Sequence, residues 1–273
     1  MLELHCHTTY SDGTLTPSEL VALAMQAGVK ALAITDHDTL SGWEEAFAAA
    51  ADFDLEIVPG VELSTVYNER SLHILGFYPN KNKLYSPLKE RLEGRKRRAQ
   101  LIINKLAEFG YPVELPSMGE GIAPSRPHIA TALVKAGYVK SSKEAFEKWL
   151  GDDQPAFVQY EKFSTAEGIQ LLLNCEAIPV WAHPYLFRGG EVETVLKDLV
   201  SAGLLGLEVY HPSHTSKQIK HLESLCDEYD LLKTGGSDFH SPNSDISLNQ
   251  LHLPLELLDS IKKVRNHASL TTN

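Results

Sequence analysis

The sequence is short of cysteine, of positive charge and of long apolar runs. Its 273 residues contain three cysteines, Cys6, Cys175 and Cys226. The number is odd and no pair has zinc-type spacing, which fits a reducing compartment. Lys and Arg number 25 against 36 Asp and Glu, giving a formal net charge of −11. A general nucleic-acid coat protein is normally basic, so that class is set aside. A nucleotide met by a local basic patch is still allowed. No apolar run is long enough to span a membrane. The first strand is expected from Leu2, which leaves no room for a signal peptide, and a cytoplasmic location is expected. There is no internal repeat, no low-complexity segment, no P-loop and no Ser-His-Asp arrangement, so neither an NTP motor nor a protein nucleophile is favoured.

What is present is an alternation of strand and helix, carried by 43% hydrophobic residues. LELHCH reads as a first strand. TPSELVALAMQAG reads as a helix, with Thr16 and Glu19 as a capping box, Pro17 in its first turn and Gly28 as its stop. KALAITDHD is a buried second strand. LEIVPGVEL is a third, broken by Pro59-Gly60, and SLHILGFY a fourth. From about Pro79 to Pro155 the alternation gives way to helices alone, the longest being SPLKERLEGRKRRAQLIINKLAEFG. Alternation then resumes with strands AIPVWAHP, LGLEVYH and LLKTGGSDFH. Repeated strand–helix units predict a parallel sheet with helices outside. Seven strands predict an α/β barrel, closed or nearly so, at 1–78 and 156–273, with a helical insertion at 79–155.

The strand ends share one character. Strand one ends at His5 and His7, strand two at His37, strand three at Glu62, strand five at His183, strand six at His211, and strand seven at Asp238 and His240. Strand four carries His73 nearer its start. Strand C-termini of such barrels converge on the active site. Residues i and i+2 of a strand share a face, so His5 pairs with His7 and Asp238 with His240, and Cys6 points away. Any one buried histidine is ordinarily a hydrogen-bonded core residue. A His, Asp or Glu at every strand end would be a costly set of buried polar groups unless it holds metal. Nitrogen and oxygen donors without thiolate suit Mn²⁺, Zn²⁺ or Fe²⁺. Clustered metals generate hydroxide from water at neutral pH and clamp the oxygens of a phosphoryl group, so phosphate-ester hydrolysis is the expected reaction. His214, His221, His252 and His267 are expected at the surface; Asp36 or Asp38 could orient a ligand, but structural or capping roles are favoured for both.

HCHTTYSDG, ITDHDTLSG, PGVELS, HILGF, WAHP, EVYHPSH and GGSDFH together resemble the PHP (polymerase and histidinol phosphatase) family, over nearly the whole barrel. The resemblance implies a distorted (β/α)7 barrel with three divalent metals, Mn²⁺ foremost. It is nearest to a branch of stand-alone phosphoesterases with a helical insertion, among them nucleoside 3′,5′-bisphosphate phosphatases and a 5′→3′ exoribonuclease of short RNA. Carried over, the motifs imply His5, His7, Glu62 and Asp238 at a first metal, and Asp12, His37 and His240 at a second. They imply Glu62, His73 and His183 at a third, with Glu62 bridging. Thr8 stands where serine is common. His211 has no metal role; it is expected to contact phosphate or to protonate the leaving oxygen, and with Asp12 and His37 makes up the candidate catalytic residues.

Basic residues near the mouth are the candidate substrate contacts. Lys89 to Arg98 holds six basic and two acidic residues. Such a run is ordinarily a solvated face. Arg95 and Arg98, three apart, share a helix face and match the branch's RxxRA pattern. Arg126 and His128 lie near a helix start, where backbone N–H groups favour anions. Arg188 is a further candidate, and Lys96 and Arg97 are expected to face solvent. The partner implied is a small nucleotide or the end of a short oligonucleotide, with no stable duplex binding and no membrane. The other readings are histidinol-phosphate phosphatase, which needs fewer cationic handles, and a non-catalytic metal-binding module of a larger polymerase.

Overall fold

The computed structural model describes residues 1–115, 118–161 and 163–271. Among the described residues, seven strands form one sheet in chain order: β1 (Leu2–Glu3), β2 (Ala31–Ile34), β3 (Glu56–Tyr67), β4 (Arg70–Phe77), β5 (Ile178–Trp181), β6 (Gly206–Tyr210) and β7 (Leu232–Gly235). The two edges nearly meet. Leu4 donates to the Gly235 carbonyl at 3.3 Å and His7 to that of Phe239 at 2.9 Å. Closure there depends on Gly236, where a Cβ would lie 2.5 Å from the His5 nitrogen. The sheet is therefore a nearly closed barrel surrounded by helices.

One expectation is corrected. The sheet is mixed, because β4 runs antiparallel to both β3 and β5. Tyr67 pairs with Arg70 across Asn68 and Glu69, both left-handed at φ 46° and 58°. That is the two-residue hairpin whose twist matches its strands. Reversal places the start of β4, and so His73, at the end where the other strands finish. Strand three is also unbroken, since Pro59 and Gly60 lie inside β3.

The helices are α1 (Pro17–Gln26), α2 (Trp43–Ala50), α3 (Lys81–Glu108), α4 (Arg126–Lys135), α5 (Ser142–Ala145), α6 (Thr165–Asn174), α7 (Val192–Ser201), α8 (Ser216–Tyr229) and α9 (Glu256–Thr271). The Thr16–Glu19 capping box of α1 is formed. Alternation along the strands separates two apolar layers. Val58, Leu75, Phe77 and Val180 cluster with Leu258 and Ile261 of α9. Leu32, Ile34, Val61, Ile74 and Leu207 cluster with α1, α2, α6, α7 and α8. Helix α3 begins earlier than its apolar pattern predicts, at an Asn80 cap, and contains Pro87. Its first half belongs to the barrel through Leu84 and Leu88. Its second half, with Ala99, Ile102 and Leu106, joins Ile129 and Leu133 of α4 in a third cluster. No helix among the described residues is long and apolar enough to cross a membrane.

Candidate metal centre

The strand ends bring nine side chains into one nest. Glu62 is its middle. Its Oε2 lies 3.2 Å from His5 Nε2, 3.1 Å from His7 Nε2 and 3.2 Å from His37 Nδ1. Its Oε1 lies 2.8 Å from His73 Nδ1 and 3.2 Å from His183 Nε2. Asp238 Oδ1 sits 3.3 Å from His5 Nε2 and 3.2 Å from His7 Nε2. Asp12 Oδ1 sits 3.4 Å from His240 Nε2, and its Oδ2 3.7 Å from His37 Nε2. Four overlapping groups each have ligand atoms close enough to share an ion: His7–Asp12–His37–His240, His5–His7–Asp238, His5–Glu62–His183 and His37–Glu62–His73. His211 Nε2 approaches the same nest, 3.7 Å from Asp238 Oδ2.

Burial pushes His5 and His7 down, but the carboxylates around them outweigh it and raise both, His7 to about 10. Burial opposes ionisation of Glu62, Asp12 and Asp238, yet the imidazoles around them hold all three well below the usual carboxylate range. Burial brings His37 down to about 3 and so keeps it neutral. The inward atoms His5 Nε2, His7 Nε2, His37 Nδ1, His73 Nδ1, Asp12 Oδ1 and Glu62 Oε2 are buried without a hydrogen-bond partner. Native proteins seldom leave such atoms bare. Divalent cations fit them: lone pairs of nitrogen and oxygen converge, and no thiolate does.

Residues outside the sequence-derived set hold this arrangement. Glu208, fully buried on β6, accepts from the His183 backbone N–H at 2.8 Å and lies 2.9 Å from His5 Nδ1. It thereby steadies His183, whose backbone is left-handed at φ 34°, a strained conformation often found at functional sites. Asp36 accepts from Thr8 N and Thr8 Oγ1 at 2.7 Å each and from Ser11 Oγ at 2.6 Å. A threonine hydroxyl at position 8 therefore does what a serine would. Asp38 is clamped from α3 by Arg91 Nε and Arg95 Nε at 2.7 Å each.

The comparisons with known proteins agree with this geometry. The PHP domain model matches residues 3–150. The chain belongs to the PHP family. It is 35% identical over 266 residues to a 5′-3′ exoribonuclease of Haemophilus influenzae, covering 95% of this chain and 96% of that protein. It is 32% identical over 254 residues to a 3′,5′-nucleoside bisphosphate phosphatase of Chromobacterium violaceum, covering 88% and 87%. Among solved structures, a candidate metal-dependent phosphoesterase from Bifidobacterium adolescentis superposes with a TM-score of 0.87 at 31% identity, covering 95% of this chain and 94% of that one. This PHP protein is a metal-dependent phosphoesterase, a hydrolase.

Beside the metal nest of the PHP barrel lies a cluster of arginines. Arg95 donates from Nη2 to Ser64 Oγ at 2.6 Å, and Ser64 pairs with His73 across β3 and β4. Arg98 stands over the Tyr160 ring at 3.8 Å, and Arg95 at 5.4 Å. Burial pushes the Tyr160 phenol up, but Arg95, Arg98 and Arg126 outweigh it and bring it down to about 8. Arg98 donates from Nε to the Val158 carbonyl at 2.7 Å, and its Nη2 is buried without a partner. Arg126 is tied instead, through Nη1, to Asp152 at 2.9 Å and the Leu150 carbonyl at 3.0 Å. His128 lies in the Ser125 cap of α4, close enough to Asp12 for the carboxylate to act on it. Tyr160 carries no signal in the sequence, where QYEKF matches no motif of the site. Arg188, Lys96 and Arg97 are exposed, and Arg97 pairs with Glu161 and Glu90. His252 and His267 are exposed and His221 is half-buried, but His214 is a correction: it is buried, with Nδ1 2.9 Å from the Val209 carbonyl.

Proposed function

We propose that this phosphoesterase removes a phosphate from small nucleotides, nucleoside 3′,5′-bisphosphates first and the 5′ ends of short RNA second. The observation that carries the reading is the pairing of two sites of opposite demand, a nest that calls for cations and an arginine cluster that calls for an anion. The names of the Chromobacterium violaceum and Haemophilus influenzae relatives support both substrate classes. His5, His7, Glu62 and Asp238 would hold one ion, Asp12, His37 and His240 a second, and Glu62, His73 and His183 a third. Mn²⁺ suits this donor set best, with Zn²⁺ or Fe²⁺ next. Such ions supply Lewis acidity, polarising a phosphoryl oxygen and lowering the pKa of water.

The chain's own residues do the rest. Glu208 and Asp36 fix the ligands before substrate arrives, which lowers the cost of reaching productive geometry. The guanidinium of Arg98 offers its bare Nη2 to the second phosphate, and Arg95, Arg126 and His128 add positive field or donors around it. Residues 79–155 serve as a cap that brings these groups to the mouth. A cytoplasmic setting fits the three unpaired cysteines.

A Mn²⁺-loaded assay over a panel tests the reading: a 3′,5′-bisphosphate, a nucleoside monophosphate, a short 5′-phosphorylated RNA and histidinol phosphate. The bisphosphate is expected to have the highest kcat/KM. Preference for histidinol phosphate would replace this reading with the simpler phosphatase. Turnover of none of the four would favour a metal-binding module.

A further inference from the structure

A groove lies between α3 and the loop that follows β2, Thr39 to Ser41. Its volume of about 460 Å³ is in the range of ligand sites. Tyr10 and Asp38 line one part of it. Asp38 follows His37 directly and Tyr10 lies two residues before Asp12, so this part adjoins the metal nest. From there the groove follows α3 from Lys96 back to Lys81, about 22 Å along the helix. Its walls are tied together. Thr39 Oγ1 donates to the Gly121 carbonyl at 2.9 Å, and the Ala123 N–H donates to the Tyr10 carbonyl at 2.8 Å.

One face of α3 sets the chemistry of this groove. Lys81, Tyr85 and Lys89 recur every four residues, with Leu88 and Leu92 on the same face. The Tyr85 side chain is 63% exposed. Most of the charge is already matched. Lys81 pairs with Glu44 and Lys96 with Glu93, and both oxygens of Asp38 are held by arginines. Among the described residues, Lys89 and Glu120 are left in no ion pair. A duplex, with its dense phosphate charge, calls for many cations and finds one spare ammonium here. An unpaired nucleotide needs less: a ring for its base and one cation for its phosphate. The arginine cluster and the nest together account for a 3′,5′-bisphosphate. An RNA anchored by its 5′-phosphate at the arginines would place its first internal phosphate at the nest, and the chain beyond that phosphate needs a further surface.

We propose that the groove along α3 is the track for single-stranded RNA beyond the scissile phosphate, with a downstream base stacked on Tyr85 and a downstream phosphate paired with Lys89. The assignment rests on the reading of short RNA as a substrate and says where its uncut part lies. Fluorescence anisotropy on the Mn²⁺-loaded protein tests it. The probe is a 5′-phosphorylated five-nucleotide RNA, labelled at its 3′ end, whose first linkage is a methylphosphonate that resists hydrolysis. Tyr85→Ala should bind it about tenfold more weakly, the scale of one lost base–aromatic stack. Tyr85→Trp should bind at least as well as wild type. Lys89→Ala should bind about threefold more weakly and lose about one ion contact from the salt dependence. Turnover of a 3′,5′-bisphosphate, which ends at the nest, should stay within about twofold of wild type in Tyr85→Ala, since one exposed side chain outside the nest and the arginine cluster is removed. Unchanged RNA binding in Tyr85→Ala overturns the proposal, as does an equal loss on the bisphosphate. A protein that turns over the bisphosphate and does not bind the RNA overturns the track and keeps the phosphatase. Binding of RNA that depends on Tyr85, in a protein that turns over no phosphate ester, keeps the track and overturns the substrate reading.

Discussion

The metal nest and the arginine cluster are neighbours with opposite deficits. In the nest, Glu62, Asp12 and Asp238 stay ionised among histidines, and bare lone pairs face inward. In the cluster, three guanidiniums surround one phenol, and a bare N–H of Arg98 is left over. Burying unpaired groups of either sign is costly. Each region is therefore incomplete by itself, and under the proposed function a ligand with a phosphate at each end would complete both. The difference also separates two kinds of failure: damage to the nest should stop all chemistry, and damage to the cluster should change only which phosphate esters are preferred.

The largest effect is expected from Asp238→Ala. Turnover of a bisphosphate and of a generic monophosphate ester should both fall to background, with loss of bound metal measured by elemental analysis. A variant that kept its metal and hydrolysed monophosphates would break the comparison. Next come Arg98→Ala and Arg126→Ala. Each should reduce kcat/KM for the bisphosphate by on the order of 2–3 kcal/mol and barely touch the monophosphate. Arg98 should cost the more, because Nη1 of Arg126 is already occupied by Asp152. Equal losses on the two substrates would detach the arginines from the second phosphate.

Asp38 joins the two regions and gives a smaller, acid-dependent term. Burial opposes its ionisation, but Arg91 and Arg95 hold it down to about 2. A depressed carboxylate stabilises the fold above its unfolded pKa of about 3.9 and loses that contribution as pH falls through the folded value. The difference is worth roughly 2 kcal/mol. Denaturation of wild type and Asp38→Asn between pH 6 and pH 2 should converge toward the acid end; a constant gap would rule the linkage out. The smallest effect belongs to Tyr160. Its phenol ionises near pH 8, so above that pH a negative charge appears among the arginines and bisphosphate binding should weaken by about fivefold or less, the scale of a partly solvated ion pair. Tyr160→Phe should flatten the profile.

Much of the site was legible because a strand puts i and i+2 on one face and a barrel gathers its strand ends. That logic needs only local spacing, and it places His5, His7, His37, Glu62, His183, Asp238 and His240 without any knowledge of contacts. His73 fell outside it. SLHILGF reads alike in a parallel or an antiparallel strand, and the turn at Asn68-Glu69 lacks the Asn-Gly signature of a tight hairpin. Glu208 left a signal that was passed over: a lone carboxylate in the apolar run LGLEVY must find a partner if it is buried. Tyr160 and the clamp on Asp38 left none, because Arg91 and Arg95 lie 53 and 57 residues from Asp38 in the chain and only the folding of α3 against the barrel brings them there. His214 was misplaced because it follows a strand end, and only the folded loop shows its ring turning back to Val209.

The reversal of β4 also sets a length. It delivers the chain to the end of the barrel opposite the mouth, where Asn80 bonds to Cys175 and Glu176 just ahead of β5. Helix α3 must then climb back, and its 28 residues span about 42 Å. Arg91 and Arg95 meet Asp38 only because the climb from Lys81 has the right number of turns. The helix thus works as a ruler: removing seven residues from its first half would keep the facing of later side chains to within about 20° but lower them by about 10 Å. The arginines would slide past the mouth with their chemistry intact and their address lost.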